Sequence, residues 1–348
     1  MLIPEDLDTP ALVVDNRQLT RNITRMADAA AAAGIALRPH AKTHKCPQVG
    51  RLQLEHGAAG LTVATINEAE LVADAGATSV FIAYPVWAGG ARRSRIASLR
   101  ERVDLRVGVD SVTAAEQFTT GQRVLIEVDC GQHRSGVLPG DVAGLAAECL
   151  RLGLDVVGAF THPGHAYDAP DGAAGAAADE RAALTTAGEA LKAVIGREPE
   201  LSGGSTPTAY DGVAAPLTEV RPGTYVFGDR QQMRLAGLTA DDIALVVVAR
   251  VVSVPRPGEA VLDCGSKTLS KDRPSWLAGH GLILEAPEAV IDELSEEHAV
   301  VHGIRANVGD LVRVIPNHVC TVVNLSRELV ITDGGSVTDR WPVGRHLV

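Results

Sequence analysis

The sequence predicts an α/β fold: a closed (β/α)8 barrel followed by a smaller all-β domain. Two observations carry this expectation. Between residues 34 and 225 a short apolar run is followed by a helical stretch, eight times over, which implies a parallel sheet closed on itself. From about residue 240 the pattern changes to β-branched runs broken by Gly and Pro, with few helical stretches, as in an all-β domain. The eight runs begin with Ile35-Ala36-Leu37, Gly60 to Val63, Val80 to Ala83 and Leu105 to Val109. They continue with Val124 to Val128, Val156 to Phe160, Glu200 to Gly203 and Glu219 to Gly223. Asn67 and Ser111 stand where helix N-caps are expected. A helix over Asn16 to Ala33 precedes the first barrel strand, and Pro10 to Val14 reads as a strand outside the barrel. The expected domains are therefore 15–235 for the barrel and 1–14 with 236–348 for the β-domain, in which Val246 to Val254, Ala260 to Asp263, Leu311 to Ile315, Cys320 to Asn324 and Leu329 to Ile331 read as strands. Gly164 to Ala178, rich in Gly, Ala and Asp, reads as a long flexible loop on the barrel face where active sites lie.

Charge and composition exclude several classes. With 32 basic and 43 acidic residues among 348, the formal net charge is −11. An acidic chain without a basic run is a poor partner for nucleic acid or an anionic membrane. The N-terminus lacks the basic and apolar regions of a secretory signal, and the most apolar stretch, Ile243 to Val254, holds Arg250 and is too short to span a bilayer. Five cysteines, none in a CxxC pair, fit free thiols and a cytoplasmic location.

Lys42 carries the first chemical signal. It lies just past the first barrel strand, the usual catalytic address of a TIM barrel, with Arg38, His40, His44 and Lys45 around it. Crowded positive charge and burial both disfavour an ammonium, which makes the amine a nucleophile; the competing reading is a solvated basic loop. Ser202-Gly203-Gly204-Ser205-Thr206 follows the seventh strand and opens a helix, a place where backbone N–H groups and hydroxyls can bind phosphate, or simply a tight turn. His318-Val319-Cys320, read as part of a strand, points an imidazole and a thiol to one face, a two-ligand start for Zn²⁺ that is otherwise a core pair. Arg134 after the fifth strand, His162, His165 and Tyr167 after the sixth, and Tyr225 and Asp229 after the eighth converge on the same barrel face.

With these motifs in place, the sequence resembles the fold-type III pyridoxal-phosphate (PLP) enzymes with an alanine-racemase-like barrel. Arg38-Pro39-His40-Ala41-Lys42-Thr43-His44-Lys45, the Asp129-to-Val137 run and Pro316-Asn317-His318-Val319-Cys320 place it nearest the D-threonine aldolase and D-serine dehydratase family, over almost the whole chain. The resemblance implies that Lys42 bonds the cofactor covalently and that Arg134 sits near the cofactor's phenolic oxygen. Tyr167 would approach the pyridine ring, and Ser202, Gly203, Gly204, Ser205, Thr206 and Tyr225 would hold the phosphate. His318 and Cys320 would bind a divalent metal beside the substrate's β-hydroxyl. It also implies a homodimer with the active site near the interface, and an N-terminal strand that joins the β-domain. A thiolate ligand favours Zn²⁺ over Mn²⁺ or Mg²⁺, and the resemblance, in which dehydratase members carry His-x-Cys here and aldolase members His-x-Asp, favours the dehydratase branch. The expected activity is β-elimination of water from a D-3-hydroxy amino acid such as D-serine, giving a 2-oxo acid and ammonia, with Lys42 as the α-proton base. The alternative is retro-aldol cleavage to glycine and an aldehyde, with His40, His162 or His165 as base. A racemase would want a second base, usually a Tyr of the β-domain, and no Tyr follows Tyr225.

Overall fold

The structure is a computed structural model in which residues 3–4 and 7–344 are described. The elements run β1 (Ala11–Asp15), α1 (Asn16–Ala32), β2 (Ala36–Leu37), α2 (Pro47–Glu55), β3 (Leu61–Val63), α3 (Ile66–Asp74), β4 (Ser79–Pro85), α4 (Ala91–Arg102), β5 (Asp104–Val109) and α5 (Val112–Ala115). Next come β6 (Arg123–Glu127), α6 (Val142–Arg151), β7 (Asp155–Phe160), α7 (Gly172–Ile195), β8 (Glu200–Gly203), α8 (Thr206–Asp211), β9 (Glu219–Val220) and α9 (Arg230–Leu235). The remainder is β10 (Leu245–Ser253), β11 (Glu259–Leu262), α10 (Ser266–Leu269), β12 (Leu282–Ile283), β13 (Val290–Leu294), β14 (Ala299–His302), β15 (Leu311–Ile315), α11 (Val319–Leu325), β16 (Glu328–Asp333) and β17 (Ser336–Pro342). By compactness the described chain divides in two. One unit holds positions up to Thr24, Thr43–Cys46 and everything from Thr224 on; the other holds Arg25–Lys42 and Pro47–Gly223.

The second of these is the barrel. Its eight strands pair in the order β2-β9-β8-β7-β6-β5-β4-β3, all parallel. A bridge between His40 and Thr62 closes the ring, supported by the Thr62 N–H to the Pro39 carbonyl at 2.8 Å. Phe81 and Phe160 meet edge to face inside it, 5.1 Å between centroids, packed with Leu125 and Val157. Gly108 makes this possible, because a Cβ there would stand 2.6 Å from the Phe160 ring. At the strand starts lies an ionic belt: Asp104, Arg106, Arg123, Glu200 and Glu219. Arg38 reaches into this belt, bonding Glu219 at 2.6 Å and Ser79 at 2.9 Å. Its charge is thus spent at the strand starts, and it does not crowd Lys42 as the sequence suggests.

The other unit is built on a nine-stranded sheet, β13-β14-β11-β10-β1-β16-β17 with β15 on β10 and β12 on β15. The N-terminal strand does join it: β1 runs antiparallel to β10 and parallel to β16. Val13, Val246, Val248, Ile315 and Val330 form a core on one face of it, and the intervening Val14, Leu245, Val247 and Ile331 are buried as well.

Three local expectations are corrected. The N-cap of α3 is Thr65, whose hydroxyl accepts the Glu68 N–H; Asn67 lies inside the helix and accepts a bond from Arg95. Ser111 does cap α5. Residues 164–178 are not a long loop: a 3-10 turn covers Gly164–Tyr167 and α7 starts at Gly172, because the alanines from 173 onward are strong helix formers. Cys320 to Asn324 is helix α11 and not a strand. Its β-branched residues favour a strand, but the buried Asp229 carboxylate takes the Val319 N–H at 3.0 Å and starts a helix there.

Candidate active site

At the strand ends of the barrel, each loop brings one group. Lys42 sits in a 3-10 turn (Ala41–Thr43), half-buried, and its N–H lies 3.4 Å from His40 Nδ1. After β6, Asp129 shapes the next loop. One of its oxygens accepts the N–H groups of Gly131 (2.9 Å) and His133 (3.0 Å), and the other meets the His133 ring at 2.7 Å. Gly131 has φ +122°, which favours glycine. This turn presents Arg134 at the surface, within electrostatic reach of Glu127 and His162. Glu127 is buried at the end of β6; Ser135 donates to one oxygen at 2.9 Å and the other has no partner. Burial pushes its pKa up, and Arg134 and Arg221 only partly offset that.

His162 follows β7. Burial, then the positive charges of Lys42, Arg134, Arg221 and His165, hold its pKa well below the usual imidazole range. That list places Lys42, Arg134 and His162, named from separate stretches of sequence, in one neighbourhood. Tyr167 lies half-buried in the 3-10 turn after His165, whose ring faces Asp179 at 3.2 Å.

Arg221, after β9, was not singled out from the sequence. It is buried, donates to Ser202 Oγ and to the Thr161 carbonyl, both at 2.5 Å, and lies 5.5–5.6 Å from the centroids of Phe160 and Phe81. The only signal for it was an arginine at the end of a barrel strand, before Pro222-Gly223. The glycine turn after β8 is buried throughout. Ser202's hydroxyl donates to Glu219 at 2.6 Å, so it has no proton left for a phosphate. The Gly204 N–H goes to Glu180 of α7 at 2.5 Å, and Ser205 caps α8 in a reciprocal box with Thr208. Gly204 has φ +83°, and a Cβ on Gly203 would stand 2.5 Å from the Glu180 carboxylate, so both glycines are required. The Thr206 hydroxyl accepts the Gly223 N–H at 3.2 Å and keeps its own proton.

In the unit containing the nine-stranded sheet, His318 and Cys320 are brought together, though by a different route from the one the sequence suggests. His318 is the extended residue before α11 and Cys320 lies in its first turn, near enough for the two side chains to bond. His318 Nδ1 meets Asp272 at 2.5 Å, which leaves Nε2 for a metal, as second-shell carboxylates do. Burial opposes a charge on His318, but Cys320, Asp272 and Asp229 outweigh it and hold its pKa well above the usual range. The Cys320 thiol donates to the Thr43 hydroxyl at 3.2 Å, and Thr43 follows Lys42 in the chain. Tyr225 is fully buried in a 3-10 turn (Thr224–Val226), beside the buried and unpartnered Thr224 hydroxyl. Among the described residues no group of three or more His, Cys, Asp or Glu is placed to hold a metal ion.

The family model of the alanine racemase N-terminal domain matches residues 14–231, more than half of the chain, and that of a serine dehydratase domain matches residues 244–332. The chain belongs to the fold-type III PLP enzymes of the D-threonine aldolase and D-serine dehydratase family. This is a family of PLP-dependent lyases. The chain is 36% identical to D-threo-3-hydroxyaspartate dehydratase from Delftia sp. strain HT23, over 90% of this chain and 91% of that one. It is 30% identical to D-threonine aldolase from Arthrobacter sp. (97% and 92% covered) and 25% identical to D-serine dehydratase from Dictyostelium discoideum (98% of each). The solved structure of the Delftia dehydratase superposes with a TM-score of 0.90 at 33% identity, covering 98% of both chains. Solved variants of that dehydratase replace by alanine a histidine and a cysteine two positions apart, and the cysteine variant is in a metal-free form.

The residues fit what the family needs. Lys42 offers an amine beside the neutral His162; Arg221 is a buried cation against the glycine turn; Thr206 has a hydroxyl proton to give. Lys42, Arg134 and this turn would hold PLP. His318 and Cys320, an imidazole and a soft thiolate with Asp272 behind the ring, suit a divalent metal with open positions.

Proposed function

We propose that this chain is a PLP- and metal-dependent dehydratase of D-3-hydroxy amino acids, with D-serine or a close analogue as substrate. The observation that carries it is the His318–Cys320 pair, oriented by Asp272 and tied through the Cys320 thiol to Thr43, the residue after Lys42. A thiolate in that pair suits Zn²⁺, and the Delftia relative with a cysteine two positions from a histidine is named a dehydratase. Bound PLP supplies an electron sink for the α-carbanion, and a metal on His318 and Cys320 supplies a Lewis acid for the β-hydroxyl. Lys42 would take the α-proton as general base. Arg134 and Arg221 fix the cofactor's orientation. The β C–O bond breaks with its electron pair going to oxygen, which takes up a proton to leave as water. The resulting enamine hydrolyses to a 2-oxo acid and ammonia. The reading includes a homodimer in the cytoplasm; among the described residues no helix is long and apolar enough to cross a membrane.

Retro-aldol cleavage is the second reading, favoured by one observation: His162 stands near Lys42 and Arg134 with its ring held unprotonated, so one ring nitrogen is open to accept a β-hydroxyl proton. The test is product analysis with D-serine, D-threo-3-hydroxyaspartate and their L-enantiomers. A 2-oxo acid and ammonia in equal amounts from a D-substrate only support the dehydratase; glycine from the hydroxyaspartate supports the aldolase.

A further inference from the structure

Glu180 is a carboxylate in an unexpected place. It projects from α7 against the glycine turn, is 2% exposed, and accepts the Gly204 N–H at 2.5 Å. Gly203 is the residue that lets it approach. The turn that would receive a dianionic phosphate ester therefore already has an acidic group at its back.

The groups facing Glu180 do not neutralise both charges. Arg221 is the cation on the barrel side, but Glu219 and Glu127 draw on it as well. Arg181, the next residue of α7, is partly exposed and acts only through its charge. Cys130, after β6, faces the carboxylate as a buried thiol whose pKa burial pushes up to about 11, and so adds no charge at neutral pH. His165 is paired with Asp179 rather than with Glu180. A phosphate entering the turn would put its charge and that of Glu180 together in a poorly solvated place, where like charges force a proton onto one of them.

Resting on the assignment of this turn to the cofactor phosphate, we propose that Glu180 is the positioning residue of the phosphate turn and takes up a proton when a phosphate ester binds. Ionised, Glu180 holds the turn through Gly204 in the unliganded protein. Protonated, it keeps that bond through its carbonyl oxygen and removes the repulsion. The carboxyl is prepared for this: burial raises its pKa to about 7, against the pull of the Gly204 N–H and of Arg221.

The experiment uses the full chain freed of cofactor and 4-deoxypyridoxine 5′-phosphate, which keeps the phosphate but cannot bond Lys42. Its affinity is expected to fall with rising pH above about pH 7, approaching tenfold per unit. Calorimetry in two buffers of different ionisation enthalpy should show uptake approaching one proton per ligand near about pH 8. Non-phosphorylated 4-deoxypyridoxine should show neither effect. In E180Q the affinity should stay level over the same range, within about twofold, with no proton uptake. The same slope and uptake in E180Q as in the wild type would overturn the proposal alone. Failure of the wild type to bind the ester at any pH would overturn it together with the cofactor reading. Should E180Q not fold, the wild-type proton balance decides: no uptake with the ester overturns the proposal.

Discussion

In the proposed reaction Lys42 bonds the cofactor and takes the α-proton while His318 holds the metal, and each residue can be examined singly. Hydride reduction of the cofactor-loaded protein should fix PLP to the one peptide that contains Lys42, read by mass spectrometry; label on another lysine would contradict the assignment. Asp272 holds the His318 ring by Nδ1, so D272N is expected to weaken metal binding by about 10–100-fold in chelator competition. An unchanged metal affinity would mean that the ring is oriented by something else. At this scale the sequence was informative where residue type alone names a chemistry, as for Lys42, His318 and Cys320. It was silent about Arg221, Glu180 and Asp272, whose roles depend on partners 60, 24 and 46 positions away: Arg221 on Thr161, Glu180 on Gly204, Asp272 on His318. Ser202 shows the converse, since its residue type suits a phosphate but its hydroxyl already donates to Glu219.

Helix starts decide much of the local geometry. Asp229 is fully buried and accepts the Gln232 N–H (2.8 Å) at the start of α9 and the Val319 N–H (3.0 Å) at the start of α11. Replacing it by alanine leaves two buried donors unmet and should cost about 2–4 kcal/mol of stability. Thermal or denaturant unfolding measures this; a loss under about 1 kcal/mol would show that other groups set these helices. Glu180 acts at the same scale, from α7. Its folded pKa, about 7, lies above the ordinary carboxyl value of 4.5, so the folded state binds its proton more tightly than the unfolded state does. Its stabilising contribution in the unliganded protein is complete below about pH 4.5 and is lost as pH rises through about 7. E180Q should flatten the stability profile across that window, and parallel profiles would contradict the shift. The eight barrel strands were legible because apolar runs alternate with helical stretches. Helix α11 was not, because Val319, Thr321, Val322 and Val323 have strand propensity and the carboxylate that overrides it lies 90 positions earlier.

At the level of the whole molecule, the barrel and the second sheet followed from the change of pattern near residue 240. The closure of the barrel through His40 and Thr62, and the insertion of β1 between β10 and β16, rest on backbone pairing that composition does not encode. The proposed reaction divides the labour: the Lys42 run with the glycine turn for the cofactor, the His318–Cys320 pair for the departing hydroxyl. D-threonine tests this most directly, because the two candidate reactions break different bonds of one substrate. The account predicts 2-oxobutanoate and ammonia in equal amounts, stopped by a chelator, restored by Zn²⁺ in the wild type and not restored in C320A. Glycine and acetaldehyde as products, or full 2-oxobutanoate formation in the presence of the chelator, would contradict it.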